Sequence, residues 1–527
     1  MKRTVRILSL LLCLCFLTLA FASCGGDPSD TTSPTTTKSP SGGGSKWDSV
    51  NFADSKGNKK EIIVELNSTQ QAGLSTSGSD TSVKFIIGPD DVTENTVETM
   101  IYQRNDKVAN DLGIKITYKQ DETAFSDVLT HLEQLASQGG DACPDIVINM
   151  YYGLIRAEVS GLLKDMKDGY GGADNYFDFE SEGWYIDMMN GTTLNPDKYY
   201  IAAGDYFIDS LRLSYNTFVN VSKFDETFSN EGGMDALYDI ILGNDPDIAW
   251  TYETMFDYAD RAHVPNNLDE SQTFWGLIAS SGLFSRAYFY SSNMNIFSYD
   301  AQNRPSYVSN EDQQNELHTY IDSIINYMSE SSVKLEKNAA NILSTFQNGN
   351  SLFMSDQFLA SLEGENFRSM NDAAAVIPYP KYDQFKAYRN LVSDNACGGA
   401  ILEVSSRDFA ACSALMQYMT EESVSVARQY FDVDLKLKNN PVDNTKQLAV
   451  LDIIRSSIAC PQEFLFDNYC ARSFSNNSPQ NTGHTIYDII DVAKTGGTNK
   501  FSSPWNSEMQ PKSQALQGVI DRFYAQN

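Results

Sequence analysis

The sequence predicts an α/β protein with two lobes, and three observations carry this prediction. Between residues 82 and 153, short apolar runs alternate with amphipathic stretches in the order strand, helix, strand, helix, strand. Strands that alternate with helices form a parallel sheet through right-handed crossovers. The folded part of the chain, about 480 residues, is longer than one hydrophobic core supports. Its apolar content of 41% is that of an ordinary folded protein.

Residue spacing predicts each element of this opening unit. Residues 84–87 are a short apolar run, which predicts the first strand. Apolar residues at three- and four-residue spacings predict helices over 97–112 and 125–136. Alternation over 114–118 and the apolar run 146–148 predict the second and third strands. Parallel sheets bind ligands at loops beyond the carboxyl ends of their strands. Here those loops are 88–91, 119–123 and 149–153.

Further strands and helices are predicted along the rest of the chain, and helices dominate from residue 216 onward. The predicted strands span residues 61–66, 199–203, 211–215, 351–354, 373–377 and 400–404. The predicted helices span residues 154–160, 234–242, 251–262, 311–329, 338–347, 408–420, 423–430, 443–457, 486–494 and 513–525.

The first residues predict export from the cell. A positively charged start precedes an apolar core over residues 7–21, which is too short for a membrane span and typical of a signal peptide. The sequence LAFASC at 19–24 resembles a bacterial lipobox, in which the thiol of Cys24 receives diacylglycerol. Residues 1–23 are therefore expected to be a lipoprotein signal peptide. Ordinary secretion, with cleavage near Ala22, is the alternative.

Residues 24–47 are expected to be the lipidated cysteine and a flexible tether, because Gly, Ser, Thr and Pro dominate them. Fully extended at about 3.1 Å per residue, the tether reaches roughly 70 Å. The formal net charge is −30, from 39 basic and 69 acidic side chains. Such a surface repels nucleic acid and anionic lipid, so the lipid anchor is the only expected membrane contact.

Five cysteines remain after the signal peptide and the lipidation candidate, an odd number that cannot be fully paired. Cys460 and Cys470 could form a disulfide outside the membrane, where oxidation is permitted. The alternative is that these cysteines are small buried residues.

The sequence contains no motif that singles out a catalytic or metal site. It has no phosphate-binding glycine loop and no nucleophile elbow. Its four histidines show no metal-ligand spacing. We therefore expect no catalytic residue, no metal and no cofactor. Paired carboxylates for glycoside hydrolysis stay open as an alternative, because 69 acidic residues offer many pairs and none stands out.

Aromatic residues, 12% of the chain, give the strongest indication of binding. Aromatic faces pack on the C–H faces of sugars, while Asp, Asn and Arg side chains bond their hydroxyls. Packing in a core is the competing interpretation for each aromatic residue. The predicted ligand-binding residues are Tyr151, Trp184, Asp205, Tyr206, Trp275, Asp90, Arg212 and Asn395.

Several segments occur in the order found in one known family. They include ETMIYQRNDKVANDLGIKITY (98–118), PDIVINMYYGLIRAEVSGLLKDM (144–166), GWYIDMMNGTTLNPDKYYIAAGDYF (183–207), LRLSYN (211–216) and AVIPYPKYD (375–383). From about residue 82 to 467 the chain resembles the extracellular solute-binding proteins of ABC transporters, the large lipoprotein type of Gram-positive bacteria. Many relatives have two tryptophans where this chain has Trp184-Tyr185. Between Val264 and Phe274 it lacks the Asp- and Gly-rich loop of some relatives, so no calcium site is expected there.

The resemblance implies a two-lobe periplasmic-binding-protein-like fold with a ligand cleft between the lobes. Lobe 1 is expected to comprise residues 81–210 and 386–432, and lobe 2 residues 211–385 and 433–527, after an irregular lead-in at 48–80. The resemblance also implies capture of a small solute by lobe closure and its delivery to an ABC permease, at the extracellular face of the cell membrane.

Most relatives of this shape carry oligosaccharides, so a monomeric, non-enzymatic carbohydrate receptor is the expected function. The same fold binding a peptide or another non-sugar solute is the first alternative. A surface glycoside-active enzyme and a surface adhesion protein are the others.

Overall fold

The strands of this protein fall into two main sheets, as the two-lobe prediction requires. The computed structural model describes residues 45–67, 81–123, 127–139, 143–167, 174–281, 284–363, 367, 370–404, 408–435, 445–471, 485–495 and 501–526. The predicted signal peptide, Cys24 and most of the tether lie outside these residues. The compact unit Ser49–Asn527 contains both sheets. The described residues 45–48 belong to a separate unit and form most of the 3₁₀ turn Lys46–Ser49.

The strands are β1 Lys60–Asn67, β2 Ile114–Asp121, β3 Ile146–Met150, β4 Tyr215–Asn220, β5 Trp275–Ser280, β6 Phe297–Tyr299, β7 Pro305–Tyr307, β8 Val333–Glu336, β9 Ser351–Phe358, β10 Ala374–Ile377, β11 Asn390–Leu391, β12 Cys397–Ala400 and β13 Ile458–Ala459.

The α-helices are α1 Thr81–Ile86, α2 Thr96–Asp111, α3 Val128–Gln138, α4 Tyr151–Val159, α5 Ile186–Gly191, α6 Asp209–Arg212, α7 Val221–Phe228, α8 Gly233–Leu242, α9 Tyr252–Ala262, α10 Phe284–Ser291, α11 Glu311–Tyr327, α12 Ala339–Gln347, α13 Phe409–Arg428, α14 Thr445–Ser456, α15 Gln462–Ala471, α16 Ile486–Thr495 and α17 Ser502–Gln526.

The first sheet has the strand order β12-β3-β1-β2. β1 pairs in parallel with both β2 and β3, and β12 is antiparallel to β3. Helices α2 and α3 lead into the parallel strands, so the predicted strand–helix alternation is confirmed. The amphipathic stripe of α2 buries Val97, Ile101 and Val108, and its first turn is capped by the side chain of Asn95.

The first strand of this sheet differs from the prediction. Residues 84–87 are not a strand, because Thr81–Ile86 forms helix α1. The strand is instead β1, which contains the candidate at 61–66, so the lead-in 48–80 includes a central strand rather than being irregular throughout. The prediction was wrong because so short an apolar run fits a buried helical turn as well as a strand.

The second sheet has the strand order β10-β4-β9-β5-β8. β5 is parallel to β8 and β9, whereas β4 is antiparallel to β9 and β10. The predicted helices at 234–242, 251–262, 311–329 and 338–347 form as α8, α9, α11 and α12.

Four further predictions were wrong in detail. Residues 199–203 form only an isolated bridge from Ala202 to Gly399, and residues 209–212 form helix α6 before β4 begins. The two helices predicted at 408–430 are one continuous helix, α13. The strand predicted at 400–404 is β12, which ends at Ala400. Two glycines obscured this strand, and they are needed because a Cβ on Gly398 or Gly399 would lie 2.7 or 2.3 Å from the ring of Tyr151 or Phe207.

The C-terminal helices contact both groups of elements. α15 and α17 pack against α4, which follows the first sheet's strand β3. α16 packs against α10 and α11, and α17 against β7, all beside the second sheet. Residues expected in lobe 2 therefore also cover the first lobe.

The structure decides between a disulfide and small buried residues for the cysteines after the tether. All five lie among the described residues, and each is buried and forms no disulfide. Cys460 and Cys470 are thus small buried residues rather than a disulfide. In the part of the chain that the structure describes, no helix has both the length and the apolar character needed to cross a membrane.

Candidate functional site

Three chain segments lie side by side between the two main sheets. Val392 N–H donates to the carbonyl of Ala459 (2.8 Å), and Ser393 N–H donates to that of Leu213 (3.0 Å). β11 pairs in parallel with β13. We call these segments, residues 213–214, 390–393 and 457–459, the crossing, because they connect elements of one sheet with elements of the other.

The carboxyl ends of strands from both sheets meet at the crossing. β3 ends at Met150, and the N–H groups of Tyr151 and Tyr152 donate to the carbonyls of Ala396 (2.9 Å) and Asp394 (3.0 Å). In the second sheet, β9 ends at Phe358, which pairs with Tyr215 at the start of β4. Ligands of such sheets bind at these strand ends, so the crossing marks the candidate site.

Arg286, in the first turn of α10, is the cationic side chain at this point. Its Nη2 donates to the hydroxyl of Tyr215, and its Nη1 lies 3.8 Å from Oδ1 of Asp394. The guanidinium also lies near the rings of Phe464 (5.6 Å) and Tyr487 (5.8 Å). Oδ2 of Asp394 accepts a hydrogen bond from Asn468 (3.2 Å). One cation and one carboxylate therefore face each other here without a hydrogen bond between them.

An open cavity of about 230 Å³ adjoins the crossing. Asn190 and Thr193 line it from the segment around α5, and Tyr299 and Asn303 line it from the β6–β7 hairpin. Gln462, three residues after β13, completes this wall, which thus draws on elements of both lobes. Amide, hydroxyl and aromatic groups around a cavity suit a ligand rich in hydroxyl groups.

Arg212 lies beside the crossing, where it forms ion pairs with two carboxylates. Its Nε and Nη2 donate to both carboxylate oxygens of Glu363 (2.7 and 2.8 Å), and its Nη1 donates to Asp209 (3.0 Å). The hydroxyl of Tyr430 donates to Glu363 as well (2.5 Å). Burial alone would raise the pKa of Glu363, but the charge and hydrogen bonds of Arg212 hold it below its ordinary value. This predicted ligand residue has no donor nitrogen left without a partner.

Three other predicted residues lie together in the first lobe. The indole of Trp184 donates to Gln417 of α13 (3.0 Å) and is 7% exposed. The ring of Tyr206 lies 5.0 Å under the guanidinium of Arg104. The carboxylate of Asp205 accepts a hydrogen bond from Tyr185 (2.5 Å), and burial raises its pKa to about 6. All three are packed against helices here, and their contact with a ligand stays a prediction.

The remaining predicted residues are dispersed. Tyr151 is fully buried at the end of β3, where its hydroxyl is 2.7 Å from Ser210, and Asn395 is half-buried in the crossing segment. Asp90 is exposed on an open groove of about 380 Å³ between α2 and β2. Trp275 is the first residue of β5 and lies at the end of the second sheet that is farther from the crossing. The neighbouring strand β9 runs seven residues from this end to the crossing, which is about 23 Å at about 3.3 Å per residue. Trp275 pairs there with Ser351 at the start of β9.

The residues that sequence reasoning missed are Arg286, Asp394 and the cavity residue Tyr299. No spacing links them, because they come from three elements that only the fold brings together. The one available signal was an arginine just after the carboxyl end of a strand, in the aromatic segment RAYFY. Among the described residues, no group of three or more His, Cys, Asp or Glu side chains is arranged to hold a metal ion.

Comparison with known proteins shows that solved structures share this fold. No protein-family model matches the chain, and no curated protein matches it significantly. It is similar to the crystal structure of a cyclo/maltodextrin-binding protein complexed with maltotetraose, with 13% identity and a TM-score of 0.50 over 90% of this chain and 98% of that one. The maltose/maltodextrin-binding domain MalE from Bdellovibrio bacteriovorus, bound to maltotriose, matches at 10% identity and a TM-score of 0.44, over 88% and 99% of the two chains. The predicted two-lobe periplasmic-binding-protein-like fold is confirmed.

Proposed function

We propose that this protein is a lipid-anchored extracellular receptor that captures an oligosaccharide by lobe closure and delivers it to an ABC permease, acting as a monomer without catalysis. The observation that carries the proposal is the meeting of strand ends from both sheets at the crossing. A ligand held there contacts both lobes only when they close, so binding shifts an equilibrium between open and closed forms.

Two observations favour a sugar. The cavity at the crossing is lined by the polar residues Asn190, Thr193, Asn303 and Gln462, by Pro196 and by the half-exposed Tyr299. Amides and hydroxyls bond sugar hydroxyls, and an aromatic face packs on sugar C–H groups. The solved structure with the similar fold carries maltotetraose, which makes malto-oligosaccharides the first ligands to test.

We expect isothermal titration calorimetry of the wild-type protein to detect an oligosaccharide from a panel that includes maltotetraose. Tyr299→Ala should weaken that binding at least tenfold, because it removes the exposed ring from the cavity. Tyr102→Ala is the matched control, since Tyr102 lines the separate groove beside Asp90. Small-angle scattering should show a smaller radius of gyration with the sugar bound.

The alternatives predict other results in the same experiments. Heat from peptides and none from sugars would replace the sugar by a peptide ligand. Turnover of chromogenic glycosides, abolished by one carboxylate substitution, would indicate an enzyme. An adhesion protein would show neither a ligand bound between the lobes nor a change in scattering.

The anchor is a separate part of the proposal and rests on the lipobox-like sequence ending at Cys24. Two acyl chains hold a protein on a membrane stably, where one chain binds it reversibly. Cells fed a labelled fatty acid should incorporate the label into the wild-type protein and not into Cys24→Ala. Equal labelling of both proteins, or of neither, would contradict lipidation at this cysteine.

A further inference from the structure

Several arginines of this protein are largely buried, and in Arg104 and Arg212 every side-chain nitrogen has a hydrogen-bond acceptor. Each nitrogen of Arg212 donates to a carboxylate oxygen of Asp209 or Glu363. Each nitrogen of Arg104 also has an acceptor, supplied by Asn105, Ser423 and the carbonyls of residues 85 and 86. Buried N–H donors need acceptors, and in these two side chains each of the three guanidinium nitrogens has at least one.

Arg286 has fewer acceptors than Arg104 and Arg212. Among the described residues its one hydrogen-bond partner is the hydroxyl of Tyr215, and its Nε has none. Nη1 lies 3.8 Å from Asp394, which is an ion-pair distance and beyond hydrogen-bond length. Most of its N–H donors therefore lack an acceptor. Its side chain stays 12% exposed, against 1% for Arg212, so a molecule from solvent can approach it.

Aromatic rings hold the Arg286 side chain in place, but they supply few acceptors for its N–H groups. Its guanidinium lies 5.4 Å from the ring of Tyr215, 5.6 Å from that of Phe464 and 5.8 Å from that of Tyr487. These rings are buried, and contacts with their faces restrict the flexible arginine side chain. A planar guanidinium fixed in this way, with free donors, is suited to a carboxylate, which it can bind through two parallel hydrogen bonds.

We propose that Arg286 is a specificity-determining residue and that the ligand of this protein carries a carboxylate, as a uronic-acid oligosaccharide does. This inference rests on the proposed function, because it places the ligand at the crossing between the lobes. It narrows the expected ligand from oligosaccharides in general to acidic ones. An acidic peptide offers the same carboxylate, and the experiment separates the two sources.

The acidic character of the protein does not oppose this assignment. Its net charge of −30 is spread over the whole chain, and physiological salt screens exposed charges beyond about 8 Å. The local carboxylate is Asp394, and Asn468 holds one of its oxygens away from the guanidinium. Asp356 also faces Arg286, and burial raises its pKa to about 7, which weakens its negative charge near neutral pH.

The test compares acidic ligands with their neutral counterparts by calorimetry on the wild-type protein. The pairs are a galacturonic-acid oligosaccharide with a neutral oligosaccharide of equal length, and an acidic peptide with its amidated form. We expect the uronic-acid ligand to bind at least tenfold more tightly than the neutral sugar. Arg286→Gln should abolish that difference in affinity. Arg286→Lys should keep part of the difference, because lysine has the positive charge but lacks the planar guanidinium that forms two parallel hydrogen bonds.

Arg261→Gln is the matched control, since it removes one arginine charge at the exposed pair with Glu231. Arg286-dependent binding of the acidic peptide alone would support the carboxylate inference and contradict the sugar. Equal or tighter binding of the neutral sugar would overturn the inference and leave the proposed function standing. An acidic preference that survives Arg286→Gln would overturn the role of Arg286. Absence of binding by every ligand would overturn both proposals.

Discussion

Arg212→Met is expected to lower the free energy of unfolding by about 3 kcal/mol, near the lower end of the range for breaking a buried ion pair. The substitution keeps most of the apolar volume and removes the cation that neutralises Asp209 and Glu363. Asp209 is buried, so its charge would lose the nearby Arg212 cation in a medium of low polarity. The side chain of Glu363 is 28% exposed, and water at that carboxylate limits the loss.

Urea denaturation followed by tyrosine and tryptophan fluorescence measures this effect. Arg212→Met combined with Glu363→Gln should recover part of the lost stability, because the second change removes one of the two carboxylate charges that Arg212 neutralised. Arg261→Met provides the control, since its pairs with Glu231 and Asp257 are exposed and such pairs contribute at most about 1 kcal/mol. Equal losses for Arg212→Met and Arg261→Met would show that burial of the pair is unimportant.

Long periodic segments made most of the fold predictable from the sequence. Helices α2, α9 and α11 each bury one stripe of apolar residues at helical spacing. The predicted first and last residues of these helices lie within two residues of the observed ones. Short segments gave less information. Within residues 84–87, the apolar residues Phe85, Ile86 and Ile87 are consecutive, so their pattern does not distinguish a buried helical turn from a strand. Gly398 and Gly399 depress strand propensity, although they are there to accommodate the rings of Tyr151 and Phe207.

The candidate site was less predictable than the fold because its residues come from distant parts of the chain. Tyr151 was identified correctly as the residue that follows β3, but its side chain points into a buried contact with Ser210. Arg212 was predicted to bind the ligand, and in the structure each of its three nitrogens donates to a carboxylate. Whether an arginine has free donors depends on which acceptors the fold brings to it. Arg286 and Arg212 therefore look alike in sequence and differ in three dimensions.

Lys512→Met is expected to have the largest effect on stability, a loss of about 3–5 kcal/mol, because both members of this ion pair are completely buried. Lys512 of α17 donates to Oδ1 of Asp467 on α15 at 2.7 Å. The same carboxylate accepts from the hydroxyls of Tyr307 (2.7 Å) and Tyr290 (3.3 Å) and from the N–H of Ile486 (2.7 Å). The variant leaves a buried carboxylate with neutral donors and no cation.

This carboxylate joins the C-terminal helices to the β6–β7 hairpin, so we expect the loss to appear as easier unfolding of α15 to α17. Hydrogen exchange should rise in these helices in Lys512→Met while the first sheet keeps its protection. Lys446→Met is the control, because Lys446 also bonds two carboxylates, Asp235 and Asp239, but at the surface, where salt screens the pairs. If exchange rose equally throughout the protein, the C-terminal helices would unfold with both lobes as one unit. If Lys512→Met were as stable as Lys446→Met, the buried pair would not hold these helices in place.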